Sequence, residues 1–140
     1  MTGQKEIYRM TIQEINQINT STLAYLGDAI YEVAIREMVI ARQPNDAGKA
    51  HKLAVKYVSA EGQAHAAKSM MSDGFLTDEE ERLLKRARNH RMMSKPTNAD
   101  PRNYKVATGF EALIAYLYLK EDNDRLHKVV AEAVRIIDEA

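Results

Sequence analysis

The sequence contains no cysteine and only a few prolines and glycines. Without cysteine, the chain can form no disulfide, no thiolate metal site and no cysteine nucleophile. With three prolines and six glycines in 140 residues, its composition is neither collagen-like nor typical of disorder. A chain of this length fits one domain, because single domains commonly contain ~100–200 residues. We therefore predict one domain over residues 1–140, with its core between about residues 21 and 139.

Long apolar runs are absent as well. The N-terminal segment MTGQKEIYRMTIQEINQ has no apolar core that could act as a signal peptide. No apolar run approaches the ~20 residues that a helix needs to cross a bilayer. These absences predict a protein without a membrane segment and with a cytoplasmic location.

Apolar residues recur at helical spacing along most of the chain, and no segment alternates as a strand does. The predicted helices run from about Thr22 to Arg42, Asp46 to Tyr57, Ser59 to Met71, Thr77 to Arg91, Val106 to Lys120 and Asp124 to Glu139. Thr77 and Glu80 have the spacing of a capping box. Residues 92–105 contain two prolines and are predicted to form a loop. The pattern predicts an all-α fold.

The net charge is zero, but the charges are unevenly distributed. Between residues 82 and 105 there is one acid, Asp100, and the chain has eight basic residues there: Arg82, Lys85, Arg86, Arg88, Arg91, Lys95, Arg102 and Lys105. This stretch carries +7, and the 12 basic and 19 acidic residues elsewhere give −7. Such a concentration indicates a surface that faces a polyanion, and the alternative is a solvated helix face.

Two carboxylates, Asp28 and Glu111, lie within apolar helical segments. A buried carboxylate is costly unless it is paired, hydrogen-bonded or bound to a metal. If their helices pack together, the two could share Mg²⁺, which often binds to only one or two carboxylates. The alternative for each is an ordinary surface carboxylate or a capping partner. Glu32 is a rival ligand one turn after Asp28, but we expect it to pair with Arg36 at i,i+4.

Two motifs carry a family resemblance. Residues 23–29, Leu-Ala-Tyr-Leu-Gly-Asp-Ala, resemble the signature helix of the ribonuclease III catalytic domain. Residues 109–118, Gly-Phe-Glu-Ala-Leu-Ile-Ala-Tyr-Leu-Tyr, resemble the second acidic motif of that family. The order of the two motifs, their separation and their apolar surroundings all match the family pattern. The resemblance covers about residues 22–119, and its other matching segments are residues 57–64, 86–89 and 95–104.

The chain departs from the family pattern at three acidic positions. The glutamate expected four residues before Asp28 is Ala24, the aspartate three before Glu111 is Thr108, and an earlier glutamate falls on Ser21. We expect no double-stranded-RNA-binding domain after the last helix. These differences match the Mini-III branch, a bare catalytic domain that keeps one aspartate and one glutamate. They also leave open an inactive domain that only binds double-stranded RNA.

The resemblance implies a homodimeric endonuclease that depends on Mg²⁺, with Mn²⁺ as an alternative metal, and cuts double-stranded RNA. Asp28 and Glu111 would be both its catalytic and its metal-binding residues. Bacterial members mature the ends of large-subunit (23S) ribosomal RNA precursors. The eight basic residues would contact RNA, and we expect Arg86, Arg88 and Lys95 to matter most. A third alternative, a helical adaptor without an RNA role, is disfavoured by the +7 segment.

Overall fold

The computed structural model describes residues 9–90 and 100–140. The helices in these ranges are α1 (Ile12–Asn16), α2 (Thr20–Arg42), α3 (Ala47–Val58), α4 (Ala60–Ser72), α5 (Asp78–Arg88), α6 (Pro101–Leu119) and α7 (Asn123–Asp138). The described ranges contain no strand, which confirms the predicted all-α fold. None of the described helices has both the length and the apolar character of a membrane span. That the whole chain is one domain stays a prediction.

The prediction of a loop through residue 105 was wrong, because α6 begins at Pro101. The side chain of Asp100 caps this helix by accepting a hydrogen bond from the Arg102 amide at 2.9 Å. Proline is favoured at the first helical position, where its missing N–H would have no partner and its fixed φ suits a helix. Arg102 and Lys105 therefore lie on the first turns of α6. Residues 91–99 lie outside the described residues.

Caps define most of the other helix ends, and the predicted capping box of Thr77 and Glu80 is confirmed. Thr77 accepts a hydrogen bond from the Glu80 amide at 3.1 Å, and Glu80 accepts one from the Thr77 amide at 2.9 Å. Ser59 ends α3 and also caps α4 by accepting from the Gly62 amide. The short helix α1 was not predicted, although Thr11 and Glu14 form a second capping box there.

Helix α6 is the centre of the molecule. It packs against α2, α4, α5 and α7, and ten of its 19 residues are buried. A helix that is apolar around most of its circumference is stable only inside a core. Glu111 lies near the middle of this helix, and its helical neighbours place it close to both α2 and α4.

Helices α2 and α6 cross with their backbones in contact. A Cβ atom added to Gly27 would lie 1.7 Å from the backbone oxygen of Glu111 and 2.5 Å from its carbonyl carbon. No side chain fits in that space. The glycine therefore permits the crossing, and the residue that follows it, Asp28, is brought to the level of Glu111.

A buried ion pair joins α5 to α7. Glu80 is 4% exposed, and Arg125 donates to both of its carboxylate oxygens at 2.7 and 2.8 Å. Arg125 also donates to the backbone oxygen of Phe75 at 2.8 Å. Breaking such a pair by removing one partner costs ~3–5 kcal/mol, because the other charge stays buried.

Replacing Gly27 by alanine should destabilise the protein by at least ~3 kcal/mol, because α2 and α6 must separate to admit the methyl group. Urea unfolding of Gly27→Ala and wild type measures this difference. Gly48→Ala is the matched control: its Cβ would meet only the Asp46 side chain, at 3.3 Å. That variant should stay within ~1 kcal/mol of wild type. Equal stabilities for the two variants would contradict a backbone contact at Gly27.

Candidate active site

Three polar side chains from three helices meet where α2 crosses α6. Asp28 comes from α2, Gln63 from α4 and Glu111 from α6. The Gln63 side-chain nitrogen donates to Glu111 Oε2 at 3.3 Å. Asp28 is close enough to Glu111 to raise its pKa, both through a side-chain hydrogen bond and through its charge. The structure thus brings together the two predicted catalytic residues and adds an amide to them.

The two carboxylates differ in burial. Glu111 is partly buried, as expected, whereas Asp28 is exposed, so the expectation of a buried aspartate was wrong. The inner stripe of α2 runs through Leu23, Gly27 and Tyr31 at four-residue spacing, and Asp28 lies about 100° around the helix from it. Of the two carboxylates, only Glu111 therefore carries a free-energy cost of burial.

Burial is the largest cause, and together with the hydrogen bond and the negative charge of Asp28 it raises the pKa of Glu111 to about 8. The hydrogen bond from Gln63 acts in the opposite direction. In the absence of a cation, the Glu111 carboxyl therefore keeps a proton near neutral pH. A cation between the two carboxylates would favour the ionised form, because opposite charge lowers a carboxyl pKa.

The C-terminal end of α3 contacts the Gln63 side chain of this site. The last carbonyls of a helix have no partner within the helix, and here two of them accept hydrogen bonds from side chains of α2 and α4. The Tyr31 hydroxyl donates to the Tyr57 oxygen at 3.1 Å, and the Gln63 nitrogen donates to the Val58 oxygen at 2.9 Å. Burial, followed by the neighbouring Tyr57 and Glu111, raises the pKa of Tyr31, so its hydroxyl stays neutral.

The donor atoms of this site suit a hard cation. Two carboxylates and few other protein ligands are typical of Mg²⁺, which keeps several of its waters. Among the described residues there is no group of three or more His, Cys, Asp or Glu side chains that could hold a metal. Asp28 and Glu111 are the residues that could hold such a cation, with the remaining positions left to water and substrate oxygens.

Comparison with known proteins places this site within a family. Residues 21–122 match the Ribonuclease III domain. The chain is 38% identical to the Mini-ribonuclease 3 of Enterococcus faecalis over 128 residues, which cover 91% of this chain and 97% of that protein. It is 40% identical to the Mini-ribonuclease 3 of Brevibacillus brevis over 123 residues, covering 88% and 90%. The chain belongs to the Mini-ribonuclease 3 family.

A solved structure supports the same fold for this Mini-ribonuclease 3 family member. A crystal structure of a protein from Fusobacterium nucleatum superposes with a TM-score of 0.75 at 28% sequence identity. The match covers 87% of this chain and 96% of that one. The all-α, ribonuclease III-like fold inferred from the two motifs is therefore confirmed.

In this Mini-ribonuclease 3 family member, the three departures from the wider ribonuclease III pattern supply no carboxylate to the site. Ala24 is buried on the inner face of α2. Thr108, one turn before Glu111, donates its hydroxyl to the Tyr104 oxygen at 2.9 Å within α6. Ser21 donates its hydroxyl to the Asn19 side chain at the start of α2. Glu32 pairs with Arg36 at 3.0 Å, as predicted, and is not drawn into the site.

Six of the eight predicted RNA-binding residues lie on α5 and the first turns of α6, two helices that pack against each other. Most of the described ones are exposed, namely Arg82, Lys85, Arg86, Arg102 and Lys105, and Arg88 is half-buried. No hydrogen bond or ion pair joins any of these six to Asp28 or Glu111. Lys85 pairs with Glu81 at 2.8 Å. Arg91 and Lys95 lie outside the described residues.

The sequence reasoning assigned no role to Gln63, although a signal was available. Gln63 shares the inner face of α4 with Ala67 and Met70, at the i, i+4 and i+7 positions. An amide in line with an apolar stripe must find a buried partner. Which partner it finds depends on how α4 packs against α6, and helical periodicity does not contain that information.

The raised pKa of Glu111 predicts that the metal-free protein loses stability as the pH rises. The unfolded chain releases this proton near pH 4.5 and the folded protein near pH 8. The stabilising contribution is therefore complete below the lower value and is lost as the pH rises through the upper one. Between them, the free energy of unfolding should fall by up to ~1.4 kcal/mol per pH unit.

Urea unfolding without divalent metal, from about pH 5.5 to about pH 8.5, measures this loss. Glu111→Gln should remove most of the slope and should be more stable than wild type at the upper pH. Glu32→Gln, which changes a glutamate on α2 that is paired with Arg36, should keep the wild-type slope. The same slope in wild type and Glu111→Gln would rule out a shifted Glu111.

Proposed function

We propose that this chain is a Mg²⁺-dependent endoribonuclease that cleaves double-stranded RNA. The observation that carries the proposal is the convergence of Asp28 and Glu111 at the crossing of α2 and α6, where Glu111 is partly buried and lacks a basic partner among the described residues. Membership of the Mini-ribonuclease 3 family supports RNA as the substrate. A pair of carboxylates without a histidine suits phosphodiester hydrolysis. A bound metal can activate the attacking water, which is the task of a histidine base in other hydrolases.

Glu111 and Asp28 would have different roles because they differ in burial. Glu111 would be ionised with the cation present, and Gln63 donates a hydrogen bond to its Oε2 atom. Asp28 is exposed and can face both solvent and an approaching phosphate. When bound, Mg²⁺ supplies positive charge opposite the scissile phosphate and lowers the pKa of a water molecule. Hydrolysis would leave a 5′ phosphate and a 3′ hydroxyl, as in the wider family.

The basic surface formed by Arg82, Lys85, Arg86, Arg102 and Lys105 would hold the RNA. These residues are exposed on two packed helices, one of which carries Glu111. The A-form duplex is recognised mainly through its phosphates, its 2′-hydroxyls and its shape. A precursor of large-subunit (23S) ribosomal RNA is our proposed substrate, on the basis of the resemblance. A cytoplasmic location stays a prediction.

Cleavage of a long RNA duplex in Mg²⁺ tests the proposal. Wild type should convert the duplex to fragments with 5′ phosphates, resolved on a denaturing gel. Asp28→Asn and Glu111→Gln should each lower kcat at least ~100-fold, because each removes one of the two anionic ligands. Chelation of the metal should abolish cleavage, and Mn²⁺ should restore it. Glu32→Gln should cut as wild type does.

The same duplex, in filter-binding measurements at several salt concentrations, separates the alternatives. Arg86→Ala should reduce the slope of log affinity against log salt by about 1, and Arg36→Ala should leave it unchanged. A wild-type chain that binds duplex RNA but does not cut it in either metal would be an RNA-binding module. A chain that neither binds nor cuts would be an adaptor without an RNA role.

A homodimer is also part of the proposal. The outer face of α2 is apolar and exposed, with Tyr25 at 83% and Val33 at 58% exposure. A groove of about 770 Å³ lies between α2 and α7, lined in part by Leu26, Ile30, Val33, Leu126, Val130 and Val134. Apolar patches of this kind mark protein interfaces more often than free surface. A second copy is the partner that the resemblance implies.

Val33→Glu should weaken self-association at least ~100-fold, because a carboxylate would be buried without a partner. Sedimentation velocity at several protein concentrations measures this change. Val55→Glu on α3, where Val55 is 45% exposed, is the matched control and should remain dimeric. A wild-type monomer would refute the dimer, and a dimeric Val33→Glu would place the interface on another face.

A further inference from the structure

We propose that Gln63 is a positioning residue: its side-chain amide holds Oε2 of Glu111 and leaves the other carboxylate oxygen for the metal. This inference rests on the proposed function, because it assigns a role within the same site. It concerns a residue that would touch neither the RNA nor the metal and that acts through Glu111. Three features of the structure carry it.

The first feature is the fixed position of Gln63. Its side chain is 2% exposed, and it lies in the first turn of α4, directly after Gly62. A Cβ atom on Gly62 would lie 2.3 Å from the Lys56 oxygen, so α3 and α4 meet at a corner that holds the backbone closely. The amide therefore reaches Glu111 from a rigid support, which is what a residue that orients a ligand requires.

The second feature fixes the direction of the amide. The Val58 oxygen can only accept hydrogen bonds, so the Gln63 nitrogen must face it. That nitrogen lies 2.9 Å from the Val58 oxygen and 3.3 Å from Glu111 Oε2. With the amide turned around, its oxygen would face the Val58 oxygen with no hydrogen between them. Gln63 therefore donates to Glu111, and a donor stabilises the ionised carboxylate that a cation requires.

The third feature is what the amide leaves unsatisfied. Among the described residues, Gln63 Oε1 is buried and has no hydrogen-bond partner. A buried acceptor without a partner is unfavourable, and methionine would continue the apolar stripe of Ala67 and Met70 without that penalty. Stability alone therefore does not explain an amide at this position. The hydrogen bonds of Gln63 to Val58 and Glu111 explain why an amide is present.

The test compares Gln63→Met with Tyr31→Phe. Both variants remove one buried donor to the end of α3, since Tyr31 donates to the Tyr57 oxygen, but only Gln63 also donates to Glu111. Three quantities are measured for each: kcat and KM for duplex RNA, the dissociation constant for Mn²⁺ by electron paramagnetic resonance without RNA, and the urea unfolding midpoint.

Gln63→Met should lower kcat by ~10–100-fold and weaken Mn²⁺ binding by about tenfold, with KM for RNA nearly unchanged, because it disorders a metal ligand and not the RNA surface. Tyr31→Phe should change kcat and Mn²⁺ affinity by less than ~3-fold at a comparable loss of stability. If Gln63→Met does not fold, Gln63→Asn serves instead, since its shorter amide cannot reach both Val58 and Glu111, and the same losses are expected.

Two outcomes would overturn the inference. If the Gln63 variants lose only stability, as Tyr31→Phe does, and keep wild-type kcat and Mn²⁺ affinity, Gln63 is a structural residue and the nuclease proposal stands. If wild type itself neither cuts duplex RNA nor binds Mn²⁺, the proposed function fails and this inference fails with it. The wild-type measurements therefore distinguish a failure of the Gln63 inference from a failure of the proposed function.

Discussion

The contact between the backbones of α2 and α6 is the constraint on which the site depends. At this point the two helices are too close for any side chain, so a Cβ atom at Gly27 would force them apart. Because the contact falls at Glu111, the residue after the glycine necessarily stands beside that glutamate. Gly27 and Asp28 therefore act together: the glycine allows the two helices to come close, and the aspartate is thereby placed beside Glu111.

Around this crossing, the site combines one exposed and one sheltered carboxylate. Asp28 is solvated and costs the fold little, whereas Glu111 is held in an environment that resists its ionisation. Tyr31 and Gln63 bond to adjacent carbonyls at the end of α3, so three helices and the end of a fourth are tied together within a few ångströms. On the proposed function, Glu111 would exchange its proton for a cation, and the amide of Gln63 would keep its carboxyl from turning toward water.

The sequence was a good guide to what depends on local order and a poor one to what depends on packing. Periodicity and caps located the long helices, and the spacing of Thr77 and Glu80 predicted their capping box. Pro101 was misread because proline ends helices more visibly than it begins them. The exposure of Asp28 was missed because an apolar segment does not reveal which of its faces turns inward. The pairing of Glu80 with Arg125, 45 residues apart, and that of Gln63 with Glu111 arise only when the helices assemble.

The position of α6 in the chain also affects how the protein is made. The helix that buries most of the others is the sixth of the seven described, and it starts at residue 101. Synthesis proceeds from the N-terminus, and early segments can expose apolar surface before their partners exist. A nascent chain that has emerged only to residue 100 carries the apolar inner faces of α2, α4 and α5 without the helix that covers them. The last 40 residues therefore supply the helix that completes the core, and until they are made those faces remain uncovered.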